Sequence, residues 1–233
     1  GGLASDGVRF CPPAAPEDQH PMLAALREFA ARRGVWINIG SIALTGPEGK
    51  VINRGYMIDD KGGIFGRYDK IHLFDVNLSA DTVYRESDTV EPGENACLHD
   101  TPLARIGYTI CYDLRFPGLF RDLAQAGAEI LCCSAAFTKV TGEAHWHVLV
   151  RARAIECGAF VFSATQCGTH ADGRRTYGHA LIVSPWGEIM AEAATDDGNA
   201  AAGANDAVIH AALDPQAVAG RDVRGPRRIG DAS

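Results

Sequence analysis

No window of the 233-residue chain approaches the roughly 20 consecutive apolar residues that a membrane-spanning helix needs; its apolar stretches are strand-sized and broken by glycine or charge. No basic run is present either. Lys plus Arg is 22 against 29 Asp plus Glu, a formal net charge of −7, so the chain offers no stripe for phosphates and nucleic acid is not an expected partner. The opening Gly1-Gly2-Leu3-Ala4-Ser5-Asp6 lacks a basic n-region, an apolar h-region and an initiator Met, which reads as a processed form or a fragment. The seven cysteines (11, 97, 111, 132, 133, 157 and 167) contain no CxxC pair. An odd count, with several inside strand-like runs, points to reduced thiols in a cytoplasm. What remains is an ordinary globular composition, 46% hydrophobic and 22% charged, expected to form one domain over residues 1–233.

After a Pro-rich opening, residues 18–33 place Leu23, Leu26, Phe29 and Ala30 on one helical face, with Gly34 as the stop. Residues 35–44, 51–59 and 64–73 are β-rich runs separated by turn chemistry and read as an antiparallel meander. Residues 74–94 lack sustained periodicity, and a connection that long reads as a functional loop. Strands follow near 95–99 and 103–110, a helix at 117–127, a strand at 129–135, a helix at 144–157 and a strand at 159–167, giving a βαβαβ order. Strands are expected near 179–184, 188–193 and 207–213. Residues 194–206, rich in Ala, Gly, Asp and Asn, read as a surface insertion.

Three segments could carry chemistry. In Ile106–Pro117 an apolar strand ends in Cys111 just before a helix start, where backbone N–H groups lower a thiol pKa and bind an oxyanion. In Arg67–Asp75, Lys70 sits late in a strand and can present an ammonium to developing negative charge. Glu86 lies inside the long loop. Each alone fits a buried thiol, a snorkelling lysine or a solvated carboxylate. Together they are the parts of an amide-cleaving thiol site: nucleophile, cationic oxyanion stabiliser and proton shuttle. His145-Trp146-His147 suggests metal ligation, but histidines two apart on a helix point to different faces, so no metal is expected from that pair.

The runs YDKIHLFD (68–75), ICYDLRFP (110–117), AAFTKVTGEAHWHVLVRARAIE (135–156) and YGHALIVSPWGE (177–188), in that order, resemble the nitrilase superfamily of carbon–nitrogen hydrolases. The similarity extends over about residues 22–213. HLFD, CYDLRFP and Ala164-Thr165-Gln166-Cys167-Gly168 are most similar to the branch containing deaminated glutathione amidase and ω-amidase. The resemblance implies an α/β fold, a four-layer αββα sandwich paired into a homodimer or larger assembly, with a Glu-Lys-Cys triad and no cofactor. It implies Cys111 as nucleophile and Lys70 as oxyanion-stabilising cation, with the Tyr112 backbone N–H completing the oxyanion hole. Glu86 matches the additional active-site glutamate. Arg115, Phe137 and Thr141 match pocket positions, Arg115 as the partner for a substrate carboxylate.

The departures are as informative. The superfamily's general-base Glu has no match, because the sequence begins just after the place where it would stand. Glu17 directly precedes a helix rather than ending an apolar strand and is not assigned that role. A strand, helix and strand, on the order of 30 residues, are expected to be missing, with hydrolysis by this polypeptide weakened accordingly. Cys157, Ala180 and Ser184 replace residues common in the superfamily and are expected to alter packing rather than chemistry. Arg151, Arg153 and Glu156, on the helix that packs at the superfamily's dimer interface, are expected to form ion pairs there. The expected reaction is hydrolysis of a small carboxylate-bearing amide through a cysteine thioester. An N-carbamoyl amino acid or aliphatic amide hydrolase, and a catalytically impaired scaffold, are the alternatives; a nitrile hydrolase fits the pocket runs less well.

Overall fold

The structure, a computed structural model, describes residues 14–79, 82–170, 173–193, 207–214 and 216–219. Cys11 and the stretch expected to be a surface insertion, 194–206, lie outside them. Helix α1 (Pro21–Arg33) follows a 3₁₀ turn at Glu17–Gln19. Proline at its first turn needs no N–H there, and Gly34 ends it in the left-handed conformation (φ 62°). Leu23 and Ala30 are buried, but Phe29 is 40% exposed. At 100° per residue Phe29 lies about 120° round the helix from Leu23, so its expected place on the inner face is corrected.

The first sheet is built on β3 (Val51–Ile58). Along one edge of β3 run β1 (Ile37–Asn38) and β2 (Ile42–Thr45), both antiparallel to it. Along the other run the antiparallel β4 (Ile64–Asp69) and the parallel β7 (Val90–Glu91). The expected meander is therefore present, joined by one later strand. Residues 74–94 are more ordered than their sequence suggests: β5 (Asp75–Ser79) and β6 (Thr82–Arg85) form a hairpin, and a 3₁₀ turn at Glu86–Asp88 leads into β7.

The second sheet has the order β15-β14-β11-β10-β9-β8. Its strands are β8 (Leu98–Asp100), β9 (Arg105–Ile110), β10 (Ile130–Ser134), β11 (Phe160–Ser163), β14 (Leu181–Val183) and β15 (Ile189–Glu192). β9, β10 and β11 are parallel, linked by α2 (Pro117–Gln125) and α3 (Lys139–Cys157). A small ribbon, β12 (Cys167–Thr169) and β13 (Arg175–Tyr177), stands beside α3.

Three apolar clusters define the layers. Leu23 and Ala30 of α1 meet Ile42, Leu44, Tyr56 and Ile58 on the first sheet. Met57 and Tyr68, on that sheet's other face, meet Ile106, Tyr108, Ile110, Ile130, Cys132 and Phe160 of the second. On the far side, Leu131, Cys133, Val161, Leu181 and Val183 pack under Phe120 and Leu123 of α2 and Trp146, Val150 and Ala154 of α3. The order α1, sheet, sheet, α2/α3 is the expected αββα sandwich. Gly55 sets the sheet spacing, since a Cβ there would overlap the Gly40 carbonyl and the Tyr108 ring.

Residues 207–214 form no strand, which corrects the expectation for 207–213. Exposure alternates along them and Leu213 touches the inter-sheet core, so the period-2 pattern is real. A strand also needs a ladder partner, and none pairs with them among the described residues. Among the described residues no helix is long and apolar enough to cross a membrane.

Candidate active site

Cys111 begins a 3₁₀ turn (Cys111–Arg115) directly after β9. Its φ of 50° places a non-glycine residue in the left-handed region, a strained elbow that the surroundings must hold. Asp113 does the holding. Fully buried, its carboxylate accepts from the Ile110 N–H (2.8 Å), the Tyr68 hydroxyl (2.7 Å) and the His72 N–H (3.0 Å), with His72 Nδ1 at 2.7 Å. Burial, reinforced by the Asp113 charge, pushes the Tyr68 phenol far up, so it stays a donor. From behind, buried Arg153 donates through Nε to the Leu114 carbonyl (3.0 Å). The elbow is thus tied to β4, to the 70–74 segment and to α3. At the first turn the Tyr112 N–H has no intrahelical acceptor.

Lys70 follows the last residue of β4 and is fixed by its own backbone: its N–H donates to Asn53 (3.0 Å) and its carbonyl accepts from Gly93 (2.8 Å). The side chain is buried at 3% exposure, and Nζ lies 2.5 Å from Glu86 Oε2, itself 5% exposed. Glu86 Oε2 also accepts from the Phe74 N–H (2.6 Å). Burial opposes the charge on Lys70, yet attraction to Glu86 and to Cys111 outweighs it and raises the pKa. The ammonium is therefore held beside the thiol at neutral pH. Burial pushes the Cys132 thiol up to about 12, and that of Cys133 higher still.

These groups face one cavity of about 330 Å³, lined among others by Lys70, Glu86, Cys111, Tyr112, Arg115 and Phe137. Thr141 lines it too, its hydroxyl 2.8 Å from that of Thr138 at the N-cap of α3. The guanidinium of Arg115 stands 5.4 Å over the Phe137 ring with Nη2 3.3 Å from His145 Nδ1. Among the described residues no carboxylate forms a salt bridge with it. The structure thus brings together all seven residues expected from sequence. Glu86 is the one carboxylate among the described lining residues.

Glu17 lies elsewhere. Arg67 (2.5 Å), Arg54 (3.2 Å) and the Tyr56 hydroxyl (2.9 Å) surround its carboxylate, and the Arg67 hydrogen bonds lead in pulling its pKa down to about 2. Arg153 and Glu156 do pair (2.5 Å), but Arg153 is buried within this chain, over Phe120, instead of facing outward. It falls on the inner stripe of α3 with Val150, Ala154 and Cys157. Asp113, Tyr68 and His72 were not singled out from sequence, and Arg153 was expected only as an interface ion pair, not as a support for the Cys111 turn. The available signals were an Asp and an Arg inside otherwise apolar helical stretches.

Residues 7–220 match the carbon-nitrogen hydrolase family. The deaminated glutathione amidase of Yersinia enterocolitica is 48% identical over 181 residues, 75% of this chain and 63% of that protein. The enzyme of that name from Mus musculus is 40% identical over 184 residues, 76% of this chain and 56% of that protein. Among solved structures, Saccharomyces cerevisiae Nit3, a member of branch 10 of the nitrilase superfamily, superposes with a TM-score of 0.74 at 30% identity, covering 89% of this chain and 70% of that one. The chain spans about 56–63% of the length of these curated relatives. By its motifs, its αββα layers and these matches, the chain belongs to the carbon–nitrogen hydrolase family of the nitrilase superfamily.

Proposed function

We propose that the cavity takes a small amide bearing a carboxylate and that Cys111 cleaves it to a carboxylic acid and ammonia. The observation that carries this reading is the placement of a strained, cavity-facing Cys111 beside the buried Lys70–Glu86 pair, with Arg115 lacking a carboxylate partner among the described residues. In the proposed sequence, the thiolate sulfur forms a bond to the amide carbon. The oxyanion so created lies between the Lys70 ammonium and the Tyr112 N–H. Collapse breaks the C–N bond, and nitrogen leaves as ammonia after taking a proton. Water then attacks the thioester, releasing the acid and restoring the thiol. Arg115, braced on Phe137, pairs with the substrate carboxylate. The names of the relatives support an amide of the deaminated glutathione type.

Glu86 fits a positioning role, since its Oε2 already receives Lys70 and Phe74. The proton acceptor for the thiol is then a further carboxylate, which the described lining residues do not supply. The test is ammonia release from deaminated glutathione, 2-oxoglutaramate, N-carbamoyl amino acids and simple amides, with Cys111→Ala as control. Turnover of the carboxylate-bearing amides that Cys111→Ala abolishes is the expected result, with Arg115→Ala raising KM for them about tenfold or more. Turnover that survives Cys111→Ala overturns the mechanism. A folded chain with no turnover and no iodoacetamide-reactive Cys111 favours the scaffold reading.

A further inference from the structure

The His145-Trp146-His147 run divides in three directions: His145 reaches Arg115 at the cavity, Trp146 is buried in the core, and His147 points to the far side of α3. There it meets residues distant in sequence. His147 Nε2 lies 3.0 Å from Glu192 Oε1, and His179 Nδ1 lies 2.6 Å from the same oxygen. The three ligand atoms all fall within 4.8 Å of one another, and none of the three residues lines the catalytic cavity. We propose that His147, His179 and Glu192 form a binding site for one divalent transition-metal ion of the zinc class.

Each ligand comes from a separate, well-anchored element. His147 sits in the middle of α3, its Nδ1 facing the Tyr177 hydroxyl at 3.4 Å, the kind of outer contact that orients a metal-bound imidazole. His179 adopts φ 57°, a backbone conformation a non-glycine residue holds only against strain. Buried Trp146 secures it there, donating Nε1–H to the His179 carbonyl at 2.8 Å, and the His179 ring stacks on Tyr177 with centroids 4.3 Å apart. Glu192 closes β15 and pairs with Leu181 in the sheet.

Two imidazoles and one carboxylate suit zinc and its neighbours in the transition series, not calcium or magnesium. Ligands about 2.1 Å from a tetrahedral zinc stand about 3.4 Å apart, a spacing the three atoms reach by small side-chain rotations. The side chains of His147, His179 and Glu192 keep 30%, 24% and 32% of their exposure, which leaves room for water to complete the coordination. Without a metal the same groups simply share Glu192 Oε1 through hydrogen bonds, so the experiment must separate these two states.

The chelator-treated chain carrying Cys111→Ala, so that this thiol does not compete, is titrated with Zn²⁺ by calorimetry and with Co²⁺ by visible absorption. The expected result is one equivalent bound, Co²⁺ ligand-field bands without a thiolate charge-transfer band, and a higher thermal midpoint in Zn²⁺. His179→Ala and the helix-compatible His147→Gln each weaken binding by more than about tenfold. Circular dichroism establishes that each variant is folded. His147→Gln, on a partly exposed helix face, keeps the test decisive if the strained turn does not tolerate His179→Ala. Absence of stoichiometric uptake, a thiolate band, or affinity unchanged by His147→Gln overturns the proposal.

Discussion

The Lys70–Glu86 pair shows how one residue's charge depends on another. A lysine this deeply buried would lose its proton readily if burial acted alone; Glu86 and Cys111 reverse the direction. Glu86→Gln keeps the shape and an acceptor for the Phe74 N–H but removes the counter-charge. Breaking a buried pair in this way costs about 3–5 kcal/mol. Because the Lys70 pKa is raised, the stability this pair contributes is fully present below the ordinary lysine value of 10.5 and lost as pH rises through the folded value. In Glu86→Gln burial prevails, Lys70 deprotonates at lower pH, and the alkaline limb of kcat/KM should move to lower pH, with kcat down roughly 10²–10³-fold. Urea denaturation and a pH–rate profile measure both. An alkaline limb that stays in place would remove Lys70 from the role of oxyanion partner. At this scale Cys111, Lys70 and Glu86, each fitting an inert reading when taken alone, were legible because of the resemblance to the superfamily's motifs. Asp113 was not, since what matters is the four groups that converge on it, three of them from 40 or more positions away or from another strand's end.

At the scale of elements, α3 links the cavity to the outer surface, and Gly142 sets how closely it lies on β13. A Cβ at Gly142 would overlap the Tyr177 side chain, approaching Cδ1 to 2.7 Å. Alanine favours helix over glycine by about 1 kcal/mol, but forcing α3 away from β13 costs about 1–3 kcal/mol. Gly142→Ala should therefore lower the thermal midpoint and reduce kcat/KM, because neighbouring Thr141 moves with the helix. Gly118→Ala on α2, where nothing lies within 4 Å, is the control and should be neutral or stabilising by about 0.4–1 kcal/mol. Equal behaviour of the two variants in differential scanning calorimetry would count against close packing at Gly142. The same glycine explains a boundary error: sequence periodicity starts this helix at 144, whereas it begins at Lys139 under the Thr138 cap. Val140, Thr141 and Gly142 are poor helix formers, and tertiary contact overrides their propensity. The β5–β6 hairpin escaped for a related reason, since its alternation is too short to stand out from the turns around it.

For the whole molecule, apolar periodicity marked the elements, and the order of the layers followed from the superfamily resemblance. What periodicity does not reveal is the partner of an apolar face left bare on α3. Val148 and Ile155 on α3, a helical repeat apart, are 69% and 55% exposed, and Trp186 in the β14–β15 turn is 84% exposed. They are neighbours: Gly187 lies against Ile155, and Arg151 Nε donates to the Gly187 carbonyl at 2.8 Å. An exposed apolar strip of this kind marks an interaction surface, and it lies on the helix from which the superfamily resemblance implies dimer formation. We propose that two copies of the chain meet there. A stable interface buries at least about 1,000 Å² in total, so removing its apolar centre should dissociate it without disturbing the fold. Val148→Asp combined with Ile155→Asp should shift the chain from dimer to monomer in sedimentation velocity, with the circular dichroism spectrum unchanged. A wild-type chain that sediments as a monomer, or a double variant that remains dimeric, would mean that α3 is not the contact and that another element carries the assembly.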